Sequence, residues 1–135
     1  MAAYPQIPAS FSARRKLLKI ELKQYQGRHI YCPALHCKVY INNHSITETS
    51  MHASISVTST KLALRLPYII QNAKIYRPNI PPKSNNSQKK KMKFIELCLL
   101  TTGVRGLGTA LLTVGKKQCG AFYEYCITDF RMHRQ

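Results

Sequence analysis

Across residues 16–25 apolar and polar positions alternate. Leu18, Ile20 and Leu22 fall on one side; Lys19, Glu21 and Lys23 fall on the other. A period of two predicts a half-buried strand with a charged outer face, ended by Gly27. Cys37, Val39 and Ile41 repeat the pattern opposite Lys38 and Tyr40, and Asn42-Asn43 reads as the turn that follows. Residues 53–70 form a third β-rich stretch. Ile55 and Val57 occupy odd positions, whereas Leu62, Leu64 and Leu66 occupy even ones. That change of parity calls for a turn or bulge near Ser59-Thr60. Pro67 then closes the second strand.

The second half of the chain is punctuated differently. Residues 77–93 hold Pro78, Pro81, Pro82, a Ser/Asn run and Lys89-Lys90-Lys91 with Lys93, and almost nothing apolar. They read as an exposed basic loop. Residues 92–102 read as one short helix, because Ile95, Cys98, Leu99 and Thr102 share a helical face and Gly103 offers a C-terminal cap. Residues 108–114 and 121–130 read as two strands joined by a turn at 115–120. This hairpin is the clearest local unit. The fold class expected is α+β and β-rich: a twisted antiparallel sheet with one or two short helices and a flexible basic loop. Residues 1–13 would be a flexible arm. Residues 14–135 would be a single β-rich domain with its basic loop at about 77–93.

Charge changes the picture most. Twenty-one Lys and Arg face five acids (Glu21, Glu48, Glu96, Glu124 and Asp129), a formal charge of +16 on 135 residues. Solubility of a small domain needs only roughly 2–8, so the excess points to polyanionic partners. The candidate contacts are Arg14, Arg15, Lys16, Lys89, Lys90, Lys91, Lys93, Lys116 and Lys117. Carboxylates in pairs carry out most acid–base work, and here the acids are scattered. A non-catalytic protein without a cofactor is the expectation. A hydrophobic share of 44% favours a folded chain over a disordered one.

Other motifs add less. Gly103-Val-Arg-Gly106-Leu-Gly108 reverses the dinucleotide-binding spacing, so its glycines are expected to build turns. Cys32, His36, Cys37 and His44 are candidate zinc ligands by chemistry. Cys37 also fits the inward face of a strand, and no C-x-x-C exists. Five cysteines, an odd number, suit free thiols in a reducing compartment. No apolar run approaches the roughly 20 residues of a membrane span, so membrane contact would be peripheral. Tyr25, Tyr31, Tyr40, Tyr68 and Tyr76 lie close to Arg or Lys. Aromatic faces among cations suit single-stranded nucleic acid, although tyrosine also simply packs well in strands.

The stretch Leu112-Thr-Val-Gly-Lys-Lys-Gln-Cys-Gly-Ala-Phe122, continuing to Ile127-Thr-Asp-Phe130, resembles the C-terminal end of vesiculovirus-type rhabdovirus matrix proteins. The shared features are an apolar strand, a Lys-Lys pair, a glycine, an aromatic and a closing Ile-x-x-Phe. The resemblance covers about 20 residues. The chain is shorter than those proteins, and Pro81-Pro82 is followed by Lys83 rather than by a Pro-Pro-x-Tyr motif. It implies a small virion structural protein that coats nucleocapsid or RNA, lies on the anionic inner membrane leaflet and self-associates as a homo-oligomer. Its location would be the virion, the host cytoplasm and the inner membrane face, with the nucleus open. Two alternatives stand beside it: a sequence-tolerant RNA-binding accessory or ribosomal-type protein, and a poorly folded product of an overlapping reading frame.

Overall fold

Ser10 begins the first regular element. Its hydroxyl accepts a hydrogen bond from the Ala13 amide at 3.2 Å, capping helix α1, Phe11–Leu22. The structure, a computed structural model, describes residues 6–83 and 92–133. The strand expected over residues 16–25 is therefore a helix, in which Arg14, Leu18 and Leu22 recur every four residues on the buried side. Ile20, which alternation places with Leu18 and Leu22, is 72% exposed. The helix wins because residues 11–19 contain no β-branched side chain and start behind a serine cap.

The first two strands follow as a hairpin: β1, His29–Cys32, and β2, Cys37–Tyr40, which places Val39 inside as expected. Asn42 then caps a helix instead of making a turn. Its side chain accepts from the Ser45 amide at 2.9 Å, and Ser45 Oγ accepts from the Asn42 amide at 3.1 Å. Helix α2 runs Asn43–Ala53, α3 runs Val57–Ala63 behind the Ser56 cap, and α4 runs Leu66–Gln71. The β-rich reading of residues 53–70 is thus overturned. Leu62, Leu66, Ile69 and Ile70 are buried at helical spacing, while Ile55 and Val57 are exposed. The change of parity falls where the chain passes from the exposed α2–α3 connection into the buried side of α3.

Strand β3, Lys74–Ile80, enters the region expected to be basic loop. Of that region, residues 84–91 lie outside those described. Strand β4, Phe94–Val104, replaces the expected helix over 92–102. An apolar run buried on both faces has no periodicity to separate strand from helix. Strands β5, Gly108–Lys117, and β6, Phe122–Asp129, form the expected C-terminal hairpin. Gly106 and Gly108, at φ +84° and +114°, carry the β4–β5 turn. A short helix α5, Phe130–His133, closes the described chain.

The α+β class holds. The strand order is β1-β2-β6-β5-β4-β3, and all pairings are antiparallel except β2 with β6, which are parallel at Val39↔Phe122 and Tyr40↔Tyr123. The sheet is therefore mixed rather than purely antiparallel. One face carries the helices: Leu18, Leu22, Leu62, Leu66 and Ile70 pack with Leu100, Leu112, Val114 and Ile127. Thr102 donates to the Ile69 carbonyl at 2.7 Å and ties α4 to β4. The opposite face holds a smaller core of Met92, Phe94, Leu97 and Tyr125.

Beyond Tyr123 the outer edge of β6 has no strand beside it among the described residues, and α2 and α3 cover it. Thr49 donates to the Tyr125 carbonyl at 3.2 Å, and the Asp129 amide donates to Ser59 Oγ at 2.9 Å. Side-chain hydroxyls thereby take the place of a strand's backbone groups. On the smaller core, Gly115 lies flat beneath the Phe94 ring, so that a Cβ there would collide with it. Gly115→Ala is expected to lower stability by about 1–3 kcal/mol through overpacking, measured by urea unfolding. A midpoint unchanged from wild type would show that the Phe94 ring yields freely.

Candidate nucleic-acid interface

On the face of the sheet away from the main helices, aromatic and basic side chains meet in cross-strand register. His29 pairs with Tyr40 and Tyr31 pairs with Lys38 across β1 and β2, and all four are exposed. The parallel pairing then sets Tyr40 beside Tyr123. The His29 and Tyr40 rings are edge-on with centroids 5.6 Å apart, and the Tyr40 and Tyr123 rings are tilted at 5.5 Å. Lys117 Nζ sits 4.2 Å from the centroid of the Tyr123 ring, a cation–π distance. The result is a platform of flat rings, His29–Tyr40–Tyr123, with Lys117 over its last ring and Lys38 two residues from Tyr40 on the same strand.

The individual basic positions divide sharply. Lys116 and Lys117 are neighbours on β5, so they serve opposite faces. Lys116 Nζ lies 5.8 Å from the Phe122 ring, as Lys117 lies over Tyr123. Lys16 is exposed and Arg15 half-buried on α1. Arg14 is not at the surface: it is 8% exposed and donates to the carbonyls of Ser54 (2.8 Å), Ala9 (2.6 Å) and Pro8 (3.3 Å). It fastens residues 8–9, part of the expected flexible arm, to the helices. Lys93 is exposed just before β4, while Lys89, Lys90 and Lys91 lie outside the described residues. Arg131 is held by Asp129 at 2.8 Å.

Of the tyrosines flagged by sequence, Tyr40 joins the platform and Tyr31 stands beside it. Tyr68 and Tyr76 carry Arg65 and Arg77 at 4.6 and 5.4 Å from their rings. Tyr25 packs against the main core. Sequence reasoning missed His29 and Tyr123. The signal for Tyr123 was its place opposite Gly115 in the hairpin, two residues from Lys117.

The zinc candidates do not assemble. Cys32 is buried and Cys37 half-buried, and burial pushes both thiols up, away from the thiolate a metal needs. Among the described residues no three His, Cys, Asp or Glu side chains are grouped to hold a metal.

A polar cluster lies where α2 covers β6. His52 Nε2 is 3.4 Å from Glu48 Oε1, and its ring centroid lies 5.8 Å from that of Tyr125. Thr49 is hydrogen-bonded to Glu124 Oε2 as well as to the Tyr125 carbonyl. A hydroxyl has one proton to donate. With Glu124 protonated, its O–H donates to Thr49 and Thr49 donates to Tyr125, and every group is satisfied. Burial supplies the bias: it raises the Glu124 carboxyl to about 8, against the opposing pull of Thr49. Cys126 beside it is pushed up to about 12 by burial and then by the Glu124 charge. Burial thus keeps the Glu124 carboxyl protonated at pH 7, where it serves as a hydrogen-bonding group between α2 and β6.

The sign of the pH dependence follows. Folded Glu124 holds its proton more tightly than the unfolded chain, so its contribution is complete below pH 4.5 and is lost as pH rises through about 8. Glu124→Gln removes this dependence. The stability difference between wild type and variant should shift in the variant's favour between pH 5 and pH 8.5 in paired urea titrations. Parallel pH profiles would mean that Glu124 is already ionised in the folded protein.

Comparison with protein-family models, with curated proteins and with solved structures finds no match for this chain, so its function is argued from its own surface.

Proposed function

We propose that this protein binds polyanions and holds single-stranded nucleic acid, RNA in the first instance, on the outer face of β1, β2, β6 and β5. One observation carries the reading: the His29–Tyr40–Tyr123 ring platform, with Lys117 over its last ring and Lys38 beside it. Bases stack on aromatic rings whatever their identity, and lysines track the phosphates. The charge of +16 supplies long-range attraction. The exposed Tyr31, Tyr40 and Lys38 have little to gain from a fold that leaves them in water.

A second reading has its own support on α1. Lys16, Lys19 and Lys23 lie exposed around Ile20, with Phe11 exposed on the same helix. An apolar side chain ringed by lysines suits an anionic membrane surface, as a matrix-type protein requires. Among the described residues no helix is long and apolar enough to cross a membrane. Vesicles containing phosphatidylserine should float the protein at low salt, and the triple change Lys16→Glu, Lys19→Glu, Ile20→Ser should release it. Absence of flotation at low salt removes this second reading.

For the leading reading, short uridine oligomers should bind with an affinity that falls linearly in log–log dependence on salt. Tyr123→Ala should cost about 1–3 kcal/mol of binding through lost stacking. Lys117→Ala should weaken binding to all sequences and reduce the salt slope by about one. Fluorescence anisotropy reads both. Unchanged affinity in both variants would place the polyanion elsewhere on the molecule.

A further inference from the structure

On the opposite side of the β5–β6 hairpin lies a cavity of about 270 Å³, formed where the 3-10 turn Pro33–Leu35 meets β3. Leu35, Ile75, Phe122 and Cys98 line it with apolar surface, and Glu96 and Lys116 supply its charged groups. Burial holds the Cys98 thiol neutral by raising it to about 11. Small-molecule sites usually occupy roughly 300–1,000 Å³. This one suits a single flat ring system, not a whole nucleotide.

The charged groups have a defined arrangement. Glu96 and Lys116 are direct cross-strand partners on β4 and β5, which sets them side by side on one face. Among the described residues they form no ion pair with each other, and Glu96 has no hydrogen-bonding partner. Lys116 stands by the Phe122 ring, 5.8 Å from its centroid. The cavity therefore offers an ammonium donor and a two-oxygen carboxylate acceptor on neighbouring strands, beside an aromatic ring.

The geometry points to a guanine-selective base pocket. The Watson–Crick edge of guanine runs acceptor, donor, donor: O6, N1–H and the 2-amino group. Set against Lys116 and Glu96, all three positions are complementary. Adenine and cytosine place a ring-nitrogen acceptor next to their amino group, where the carboxylate would repel it. Uracil offers one N–H between two carbonyls. Single-stranded RNA is commonly read in this way, with an unstacked base held on its Watson–Crick edge against an aromatic ring. The two faces of the hairpin then divide the labour. Lys117 and Tyr123 hold any strand, and Lys116, Glu96 and Phe122 choose one base of it.

This inference rests on the nucleic-acid reading above and deepens it, so its test separates the two. The probes are UUUUU and UUXUU oligoribonucleotides, where X is guanosine, inosine, adenosine or cytidine, titrated at low salt by fluorescence anisotropy. Guanosine should raise affinity roughly tenfold or more over the other bases. Inosine, which lacks only the 2-amino group, should lose most of that gain. Glu96→Gln should abolish the preference for guanosine while UUUUU still binds, whereas Lys117→Ala weakens all five probes together. Equal affinity for all five overturns the guanine pocket and leaves the platform standing, as does a preference for another base. Failure of every probe to bind overturns the nucleic-acid reading, and the pocket with it. The inosine comparison uses the wild-type protein, so the outcome does not depend on whether a variant folds.

Discussion

The architecture turns on one exposed strand edge. β6 pairs with β5 along its length but sits beside β2 for only two residues, Val39↔Phe122 and Tyr40↔Tyr123, and among the described residues its outer edge then runs to Asp129 without a strand partner. Backbone groups on such an edge must be paired or covered. Here the covering elements are two helices with hydroxyl side chains on their inner faces, and Thr49 and Ser59 make the bonds that a strand would otherwise make. Several features follow from that arrangement. It explains why Thr49 and Ser59 are buried although polar. It also draws Glu124 under α2, where burial keeps it protonated.

The same edge determines what the outer face can display. Because β2 reaches β6 in parallel just at Tyr123, the β1–β2 hairpin delivers His29 and Tyr40 next to that ring. Two residues further along, α2 brings His52 over Tyr125. An imidazole backed by the largely buried Glu48 carboxylate thus stands at the border of the aromatic surface. The aromatic surface is assembled from chain segments about eighty residues apart, which is why no short motif announces it.

The legibility of the sequence tracks the physics of each segment. The C-terminal hairpin could be read because its strands alternate and its turn carries Gly120. The β2 strand could be read for the same reason. Residues 16–25 misled because Ile20 mimics a third core position while pointing to solvent. Residues 53–70 misled because Ser and Thr, common in strands, here cap and brace helices at Ser56 and Thr60, while Ser59 accepts from the edge of β6. Residues 92–102 misled because a central strand buried on both sides has no polar side to alternate. Of the candidate site, the cations Lys116 and Lys117 were legible as a turn-flanking pair. Their division between two faces was not, since it depends on the strand extending through them. The misassigned Arg14 shows the limit of charge counting: a basic cluster at a helix start contained one residue whose hydrogen-bonding role had already been filled inside the fold.

The two-residue parallel seam between β2 and β6 also bears on how the chain reaches this state. Strands β4, β5 and β6 are joined by short turns and find one another locally. Val39 must find Phe122 across 83 positions of chain (122 minus 39), and it gains little pairing when it arrives. The entropy of closing so long a loop grows only slowly with its length, so the cost falls on the rate of assembly more than on final stability. Contact separation alone thus favours early pairing of β4, β5 and β6 over closure of the β2–β6 seam. The ring platform straddles that seam, with His29 and Tyr40 on one side and Tyr123 on the other. It is complete only in molecules whose two halves have closed, and a bound strand lying across it would act as a clasp.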